Sequence, residues 1–268
     1  MVRTLCPVCG QPLTMEKPAW HCDAGHSFDV ARQGYVNLLT VDRKHSKQPG
    51  DSTAQVEARR AFLSAGYYAP MAARLAEIVA GERPRTILDA GCGEGYYLTE
   101  LGKALPETER WGIDISREAV RRAAGRDKQA HWLTATAAHL PFADGSFDCV
   151  LSLFALTAAE EFHRVLRPGG LFLQVVAGPD HLRGLRNIIY DTVAEREKER
   201  SRPLPGFVLE RSETVEFSFT LTENSRVLEL LAMTPHFMRI SKAGADRARA
   251  AEGLTDTFQA VCNHYRAI

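Results

Sequence analysis

The stretch Ile87-Leu88-Asp89-Ala90-Gly91-Cys92-Gly93-Glu94-Gly95-Tyr96-Tyr97 joins a short apolar run to a glycine-rich turn ahead of a segment able to form a helix. Strand, glycine turn and helix in that order hold nucleotide-like cofactors, because the glycines let the backbone turn sharply and approach the ligand. A dinucleotide fingerprint needs GxGxxG, whereas the spacing here is Gly91-x-Gly93-x-Gly95, so a dehydrogenase is disfavoured. A second acid points to the same class of cofactor. Trp111-Gly112-Ile113-Asp114 ends another short apolar run, about 20 residues on, where such folds place a carboxylate for the ribose hydroxyls.

Outward from this turn, short apolar runs alternate with helical segments, the pattern of a doubly wound parallel sheet. Strands are expected at 86–89, 110–114, 131–134, 147–153 and 171–176, with a helix at 158–166 ended by Arg167-Pro168-Gly169-Gly170. Upstream, one helical stretch opens at Arg59 and runs through Tyr67 and Tyr68 to Met71, Leu75, Ile78 and Val79, apolar on one face. Downstream, the charged residues 191–205 read as a solvated helix, 214–221 as a half-buried strand, 224–233 as a helix and 256–266 as a last strand. The run from Asp89 to Gly95, and the later helix, Pro-Gly-Gly and strand, resemble class I S-adenosylmethionine methyltransferases. The expected fold is therefore α/β: a class I methyltransferase, Rossmann-like, doubly wound and mostly parallel sheet with a small N-terminal zinc-binding domain.

With 268 residues, 45% hydrophobic and 25% charged, the chain can form one large α/β domain plus a small appendage. Thirty-three Lys and Arg balance 33 Asp and Glu. Zero net charge argues against a globally basic nucleic-acid coat and leaves room for a local basic patch. No apolar run approaches the ~20 residues that span a bilayer, and the first residues lack a signal-peptide core, so no membrane partner and a cytoplasmic address are expected.

Three of the six cysteines lie within the first 22 residues, while Cys92, Cys149 and Cys262 are scattered. Clustering favours metal over disulfide. Cys6-Pro7-Val8-Cys9 and, after a 12-residue gap, Cys22-Asp23-Ala24-Gly25-His26 give CxxC-x12-CxxxH, the spacing of a closed tetrahedral zinc site. His21 competes with His26 as fourth ligand but is adjacent to Cys22, an awkward geometry. Four protein ligands leave no position for an activated water, so one structural zinc is expected, its binding supplying the folding free energy of a segment too short to build much core.

Zinc unit, linker and cofactor motif together resemble the RlmA family of large-subunit ribosomal RNA guanine-N1 methyltransferases. The resemblance is carried by Cys6-Pro-x-Cys9, Gly34-Tyr-Val-Asn-Leu-Leu39, Pro49-Gly50-Asp51-Ser52, Ala58-Arg-Arg-Ala-Phe-Leu63, Leu88-Asp-x-Gly-Cys-Gly-Glu-Gly-Tyr-Tyr97 and Gly178-Pro-x-His-Leu182, spread over essentially the whole chain. It implies S-adenosylmethionine as methyl donor, hairpin 35 of 23S rRNA as partner, a zinc domain that helps recognise RNA, a tendency to dimerise and, in one branch, resistance to macrolides such as tylosin. Residues 1–38 would then be the zinc-binding RNA-recognition domain, 39–57 a linker and 58–268 the methyltransferase domain. Cofactor contacts implied by the family are Tyr68, Gly93, Glu94 and His181, to which the glycine turn adds Asp89, Gly91 and Gly95, and fold logic adds Asp114.

One departure bears on substrate recognition. After the fourth strand the family has an Ala-Pro-Cys-Lys-like run, in a segment that commonly lines the target-base pocket of class I methyltransferases, whereas this chain has Ala155-Leu156-Thr157-Ala158. No general base is evident, since Glu160 and Glu161 stand at a helix start where acids serve the dipole. Guanine N1 lies on the pairing edge, so the target must be looped out or flipped. Arg32, Arg43, Lys44, Lys47, Arg59 and Arg60 lie between zinc unit and cofactor motif, a sensible place for phosphate contacts. Two alternatives are a small-molecule methyltransferase on the same fold and a non-enzymatic zinc-dependent RNA-binding module.

Overall fold

The structure is a computed structural model that describes residues 2–43, 49–193 and 201–268. Its centre is the strand that begins the glycine motif. Strand β4 (Thr86–Ala90) is buried along nearly all its length. It pairs in parallel with β5 (Glu109–Asp114) on one side and β7 (Phe147–Leu153) on the other. Strands covered on both faces tend to read as apolar runs, as β4 and β7 largely do, whereas β5 buries Arg110 by pairing it with Asp127 at 3.3 Å.

Beyond β5 lie β6 (His131–Thr134) and the two-residue β3 (Val36–Asn37), both parallel. Beyond β7 lie β8 (Leu166–Ala177), then β10 (Leu254–Ala267) and β9 (Phe207–Leu221). The full order is β3-β6-β5-β4-β7-β8-β10-β9, with β10 antiparallel to both neighbours. Strand order reverses between β4 and β7, which opens a crevice at their carboxyl ends, where ligands bind in such sheets. The expected mostly parallel, doubly wound sheet is thus present, closed at one edge by an antiparallel pair.

Helices cover both faces: α1 (Thr53–Ser64), α2 (Ala69–Glu82), α3 (Tyr96–Ala104), α4 (Arg117–Arg126), α5 (Ala159–Val165), α6 (Arg183–Ile189), α7 (Asn224–Ala232) and α8 (Lys242–Ala250). The single helix expected from Arg59 to Val79 is two helices. Gly66, at a φ of 86°, turns the chain between them. The first begins six residues early, at Thr53, inside the expected linker, because Ser52 and Gln55 form a reciprocal capping box. Strand β8 likewise starts at Leu166, so Arg167-Pro168-Gly169-Gly170 opens the strand rather than separating it from the helix. The solvated helix expected over 191–205 falls partly outside the described residues, and 191–193 and 201–205 are not helical.

The N-terminal unit carries a small hairpin, β1 (Ala19–His21) with β2 (Ser27–Asp29). It shares a core with the large domain rather than standing apart. Trp20 meets Trp111 of β5 edge-on at 6.3 Å, Leu5 N–H donates to the Pro141 carbonyl at 2.9 Å, and β3 adds to the main sheet beside β6. Among the described residues no helix is long and apolar enough to cross a membrane.

Candidate active site

The glycine turn is tied to β5. Gly91 and Cys92 both donate backbone N–H groups to the Ile113 carbonyl at 2.9 Å. Asp114 closes the turn: its Oδ2 accepts from Gly93 N–H at 2.9 Å and its Oδ1 from Ser116 N–H at 2.8 Å. Beside them is a cavity of about 320 Å³, lined among others by Asp51, Arg59, Tyr68, Asp89, Gly91, Gly93, Glu94, Tyr97, Asp114, Phe154 and Met233.

Six sequence-predicted residues therefore meet at one cavity: Tyr68, Asp89, Gly91, Gly93, Glu94 and Asp114. Two do not line it. Gly95, at a φ of 83°, caps α3, and a Cβ there would lie 2.7 Å from the Trp132 ring, so its role is close packing. His181 sits behind the wall, stacked on Phe154 at 5.6 Å and edge-on to Tyr68 at 6.5 Å. Its Nδ1 accepts from Gln259 N–H at 3.2 Å, which leaves Nε2 to carry the proton. Burial holds the ring neutral, with a pKa pushed down to about 4.

Several buried polar groups in this cavity lack a partner among the described residues: the Tyr68 hydroxyl, Asp89 Oδ1 and Glu94 Oε1. Tyr68 is wedged between Phe62 at 5.2 Å, Phe219 at 5.8 Å and Phe258 at 4.6 Å, and burial pushes its phenol well up. Glu94 is ion-paired with Arg126 at 2.6 Å, yet burial outweighs that cation and raises its pKa. Asp89 has no cation against it; burial and, second, the Asp114 carboxylate push it up to about 7. Buried polar groups are rarely left unpaired. Two carboxyl groups and a phenol fit a ligand bearing a positive charge and hydroxyls, both of which S-adenosylmethionine carries.

The Asp89 shift has a testable sign. A carboxyl whose folded pKa lies above its ordinary 3.8 contributes stability that is whole below that value and lost as pH rises through about 7. Asp89→Asn, neutral at every pH, is expected to gain on the parent above pH 8 by up to about 4 kcal/mol, measured by denaturant unfolding at pH 5 and 9. An unchanged difference between the two pH values would contradict a buried, titrating Asp89. A cationic ligand in this cavity would favour the carboxylate, so its affinity for the parent should rise with pH across the same range.

Gly91 explains why the motif needs a glycine at that point. At a φ of 92°, with Ala155 only 2.5 Å from where a Cβ would stand, the turn abuts the segment after β7. Gly91→Ala is expected to cost about 2 kcal/mol or more from backbone and clash together, seen as a lowered unfolding midpoint.

At the N-terminus, Cys6, Cys9, Cys22 and His26 offer ligand atoms all within 4.8 Å of one another. Cys9 Sγ stands 3.7 Å from Cys22 Sγ, and Cys22 Sγ 3.4 Å from His26 Nδ1. Tetrahedral zinc with Zn–S bonds of about 2.3 Å separates its sulfurs by about 3.8 Å, so the residues fit. Two tight turns aim the ligands inward: Gly10 N–H donates to the Cys6 carbonyl and Gly25 N–H to the Cys22 carbonyl, both at 2.9 Å. His21 is exposed on β1 and outside the cluster.

The basic residues divide. Arg32 and Arg60 are exposed, and Lys44 and Lys47 lie outside the described residues. Arg43 ends a short 3-10 turn. Arg59 faces inward instead, lining the cavity and donating to Asp51 at 2.7 Å and the Met233 carbonyl at 3.1 Å. The Asp51–Arg59 pair, Tyr97 and Phe154 are cavity residues that the sequence did not single out as cofactor contacts.

A family model for the RlmA N-terminal zinc ribbon matches residues 4–47, and one for a methyltransferase domain matches 87–170. A Bacillus subtilis protein, YxjB, whose name assigns it as a 23S rRNA (guanine-N(1)-)-methyltransferase, is 33% identical over 246 residues, covering 86% of this chain and 85% of that one. The chain belongs to the RlmA family of 23S rRNA (guanine-N1)-methyltransferases. The 23S rRNA (guanine(748)-N(1))-methyltransferase of Streptomyces fradiae is 40% identical over 182 residues, 66% of this chain and 64% of that protein. A Micromonospora griseorubida relative assigned as a 23S rRNA (guanine-N(1)-)-methyltransferase is 39% identical over 198 residues, 66% of each chain. These two matches span just under two thirds of the relatives' length. The methyltransferase domain and the RlmA zinc ribbon give S-adenosylmethionine and one structural zinc as the cofactors, and the cluster of Cys6, Cys9, Cys22 and His26 is placed to hold such an ion.

Proposed function

We propose that this RlmA-family chain transfers a methyl group from S-adenosylmethionine to N1 of a guanine in 23S rRNA. The observation that carries it is the cavity at the strand switch point, with the unpartnered Asp89 carboxylate and the Asp114 clasp on the glycine turn, in a chain that also has the RlmA zinc ribbon. When bound, S-adenosylmethionine supplies a methyl group made electrophilic by its sulfonium. The protein's work is then to hold the nucleophile in line and exclude water. Methylation would replace the N1 proton with the methyl group, so the site must hold the purine with its N1 edge in line with the donor and leave that proton a path to water at the cavity mouth.

Tyr68, Asp89, Gly91, Gly93, Glu94 and Asp114 are the proposed cofactor contacts. Gly95 supports the loop and His181 supports Phe154 and Tyr68 from behind the wall. The partner we infer is hairpin 35, with its guanine looped out of pairing, engaged by a homodimer whose exposed Arg32 and Arg60 meet phosphates. Primer extension across hairpin 35 tests the substrate. A stop at one guanine that requires S-adenosylmethionine is expected, since a methyl on N1 blocks the pairing edge. A cofactor-binding protein that leaves every guanine readable would contradict the hairpin as substrate.

A further inference from the structure

Phe154, the residue after β7, combines two features that a phenylalanine ordinarily avoids. Its φ is 55°, in the left-handed region that favours glycine, and it is 42% exposed where it lines the cavity. Strained residues persist only where their surroundings hold them. Here Phe154 N–H donates to the Val175 carbonyl of β8 at 2.8 Å. One face of its ring stacks on His181 at 5.6 Å and 25°, and its edge meets Phe258 at 6.0 Å.

The far end of the same segment is anchored as firmly. Thr157 Oγ1 accepts from Gln174 Nε2 at 2.8 Å, Gln174 Oε1 from Asn263 Nδ2 at 2.9 Å, and Asn263 Oδ1 from Ser212 Oγ at 2.7 Å. This chain of side chains crosses β8, β10 and β9. Between the anchors, Leu156 lines the cavity while 69% exposed. Residues 154–156 thus form an apolar ledge, held at both ends, beside the glycine turn. The open surface of this ledge is the Phe154 ring and the Leu156 side chain, which suit a planar ring rather than a phosphate or a carboxylate.

We propose that the open face of Phe154, extended by Leu156, is the platform on which the extruded purine stacks while its N1 edge is presented to the methyl donor. The assignment rests on the methyltransferase function proposed above, and it makes Phe154 a substrate-contacting residue whose strained backbone fixes the plane of the base.

The test compares the full-length protein with Phe154→Leu, Phe154→Tyr and Phe154→Gly, measuring tritiated methyl transfer to 23S rRNA and, separately, S-adenosylmethionine binding by calorimetry. Phe154→Leu is expected to lower kcat/KM for RNA by about 10- to 100-fold, with cofactor affinity within about threefold of the parent. Phe154→Tyr keeps the stack and should stay within about threefold in both. Phe154→Gly suits the left-handed backbone, so the chain remains folded by circular dichroism yet loses transfer as the leucine variant does. Transfer by the leucine and glycine variants at the parental rate would overturn the proposal, as would equal losses in cofactor binding, which would make Phe154 a wall of the cofactor site. If the parent itself moves no methyl to rRNA, the methyltransferase function falls first, and the purine named here falls with it.

Discussion

Asp114→Ala is expected to weaken S-adenosylmethionine binding by about 100-fold or more, read by calorimetry. The carboxylate faces the cavity and also accepts the backbone N–H groups of Gly93 and Ser116. Deleting it strands both donors, at about 1–3 kcal/mol each for a buried unsatisfied group, and removes the charged acceptor proposed to meet the ligand. Burial raises the carboxyl's pKa even though those two hydrogen bonds oppose the shift. Asp114→Asn keeps one acceptor oxygen but turns an amino group toward one of the two donors, and should fall between alanine and parent. Parental affinity in the alanine variant would mean that Asp114 only shapes the loop and that the ligand lies elsewhere.

Removing zinc, by chelation or by Cys22→Ala, is expected to unfold the N-terminal unit. Structural zinc contributes on the order of 10 kcal/mol to such segments, and the hairpin of β1 and β2 has too little core to replace it. The effect should reach the large domain, because Trp20 packs on Trp111 and Leu5 is tied to Pro141. Tryptophan fluorescence is therefore expected to shift to the red, and the unfolding midpoint of the whole chain to fall. The cavity is built by β4, β5 and β7, so cofactor binding should survive within several-fold. Unchanged fluorescence and midpoint in the zinc-free protein would contradict a structural role for the metal.

The central strands were legible because burial on both faces leaves little freedom of composition. The strands expected at 131–134 and 147–153 match β6 and β7 to the residue. What escaped the sequence lacked an apolar pattern of its own. Helix α8 buries only Gly244 and Ala248, and α6 is seven residues long. The break between α1 and α2 hung on Gly66, one glycine within an otherwise periodic run. The strand β3 is two residues long, and its place in the main sheet is set by partners about 100 residues away, such as Leu133 opposite Val36.

The site divides along the same line. Asp89 and Asp114 could be placed at the cavity because each stands at the carboxyl end of a buried parallel strand, where the crevice opens. The metal ligands could be read because thiolate and imidazole spacing is constrained by one ion. Arg59 was misplaced among phosphate contacts: its sequence position between zinc unit and motif says nothing of the helix face that turns it inward onto Asp51. Phe154 was invisible, since neither its left-handed φ nor its exposure follows from residue type.

The most direct test of the central claim is to incubate the protein with tritiated S-adenosylmethionine and 23S rRNA, digest the RNA to nucleosides and separate the labelled product. Label that co-elutes with 1-methylguanosine, and is lost in Asp114→Ala, is the expected result. Label in another methylated nucleoside, or none in RNA from a protein that binds the cofactor, would contradict guanine N1 as the acceptor.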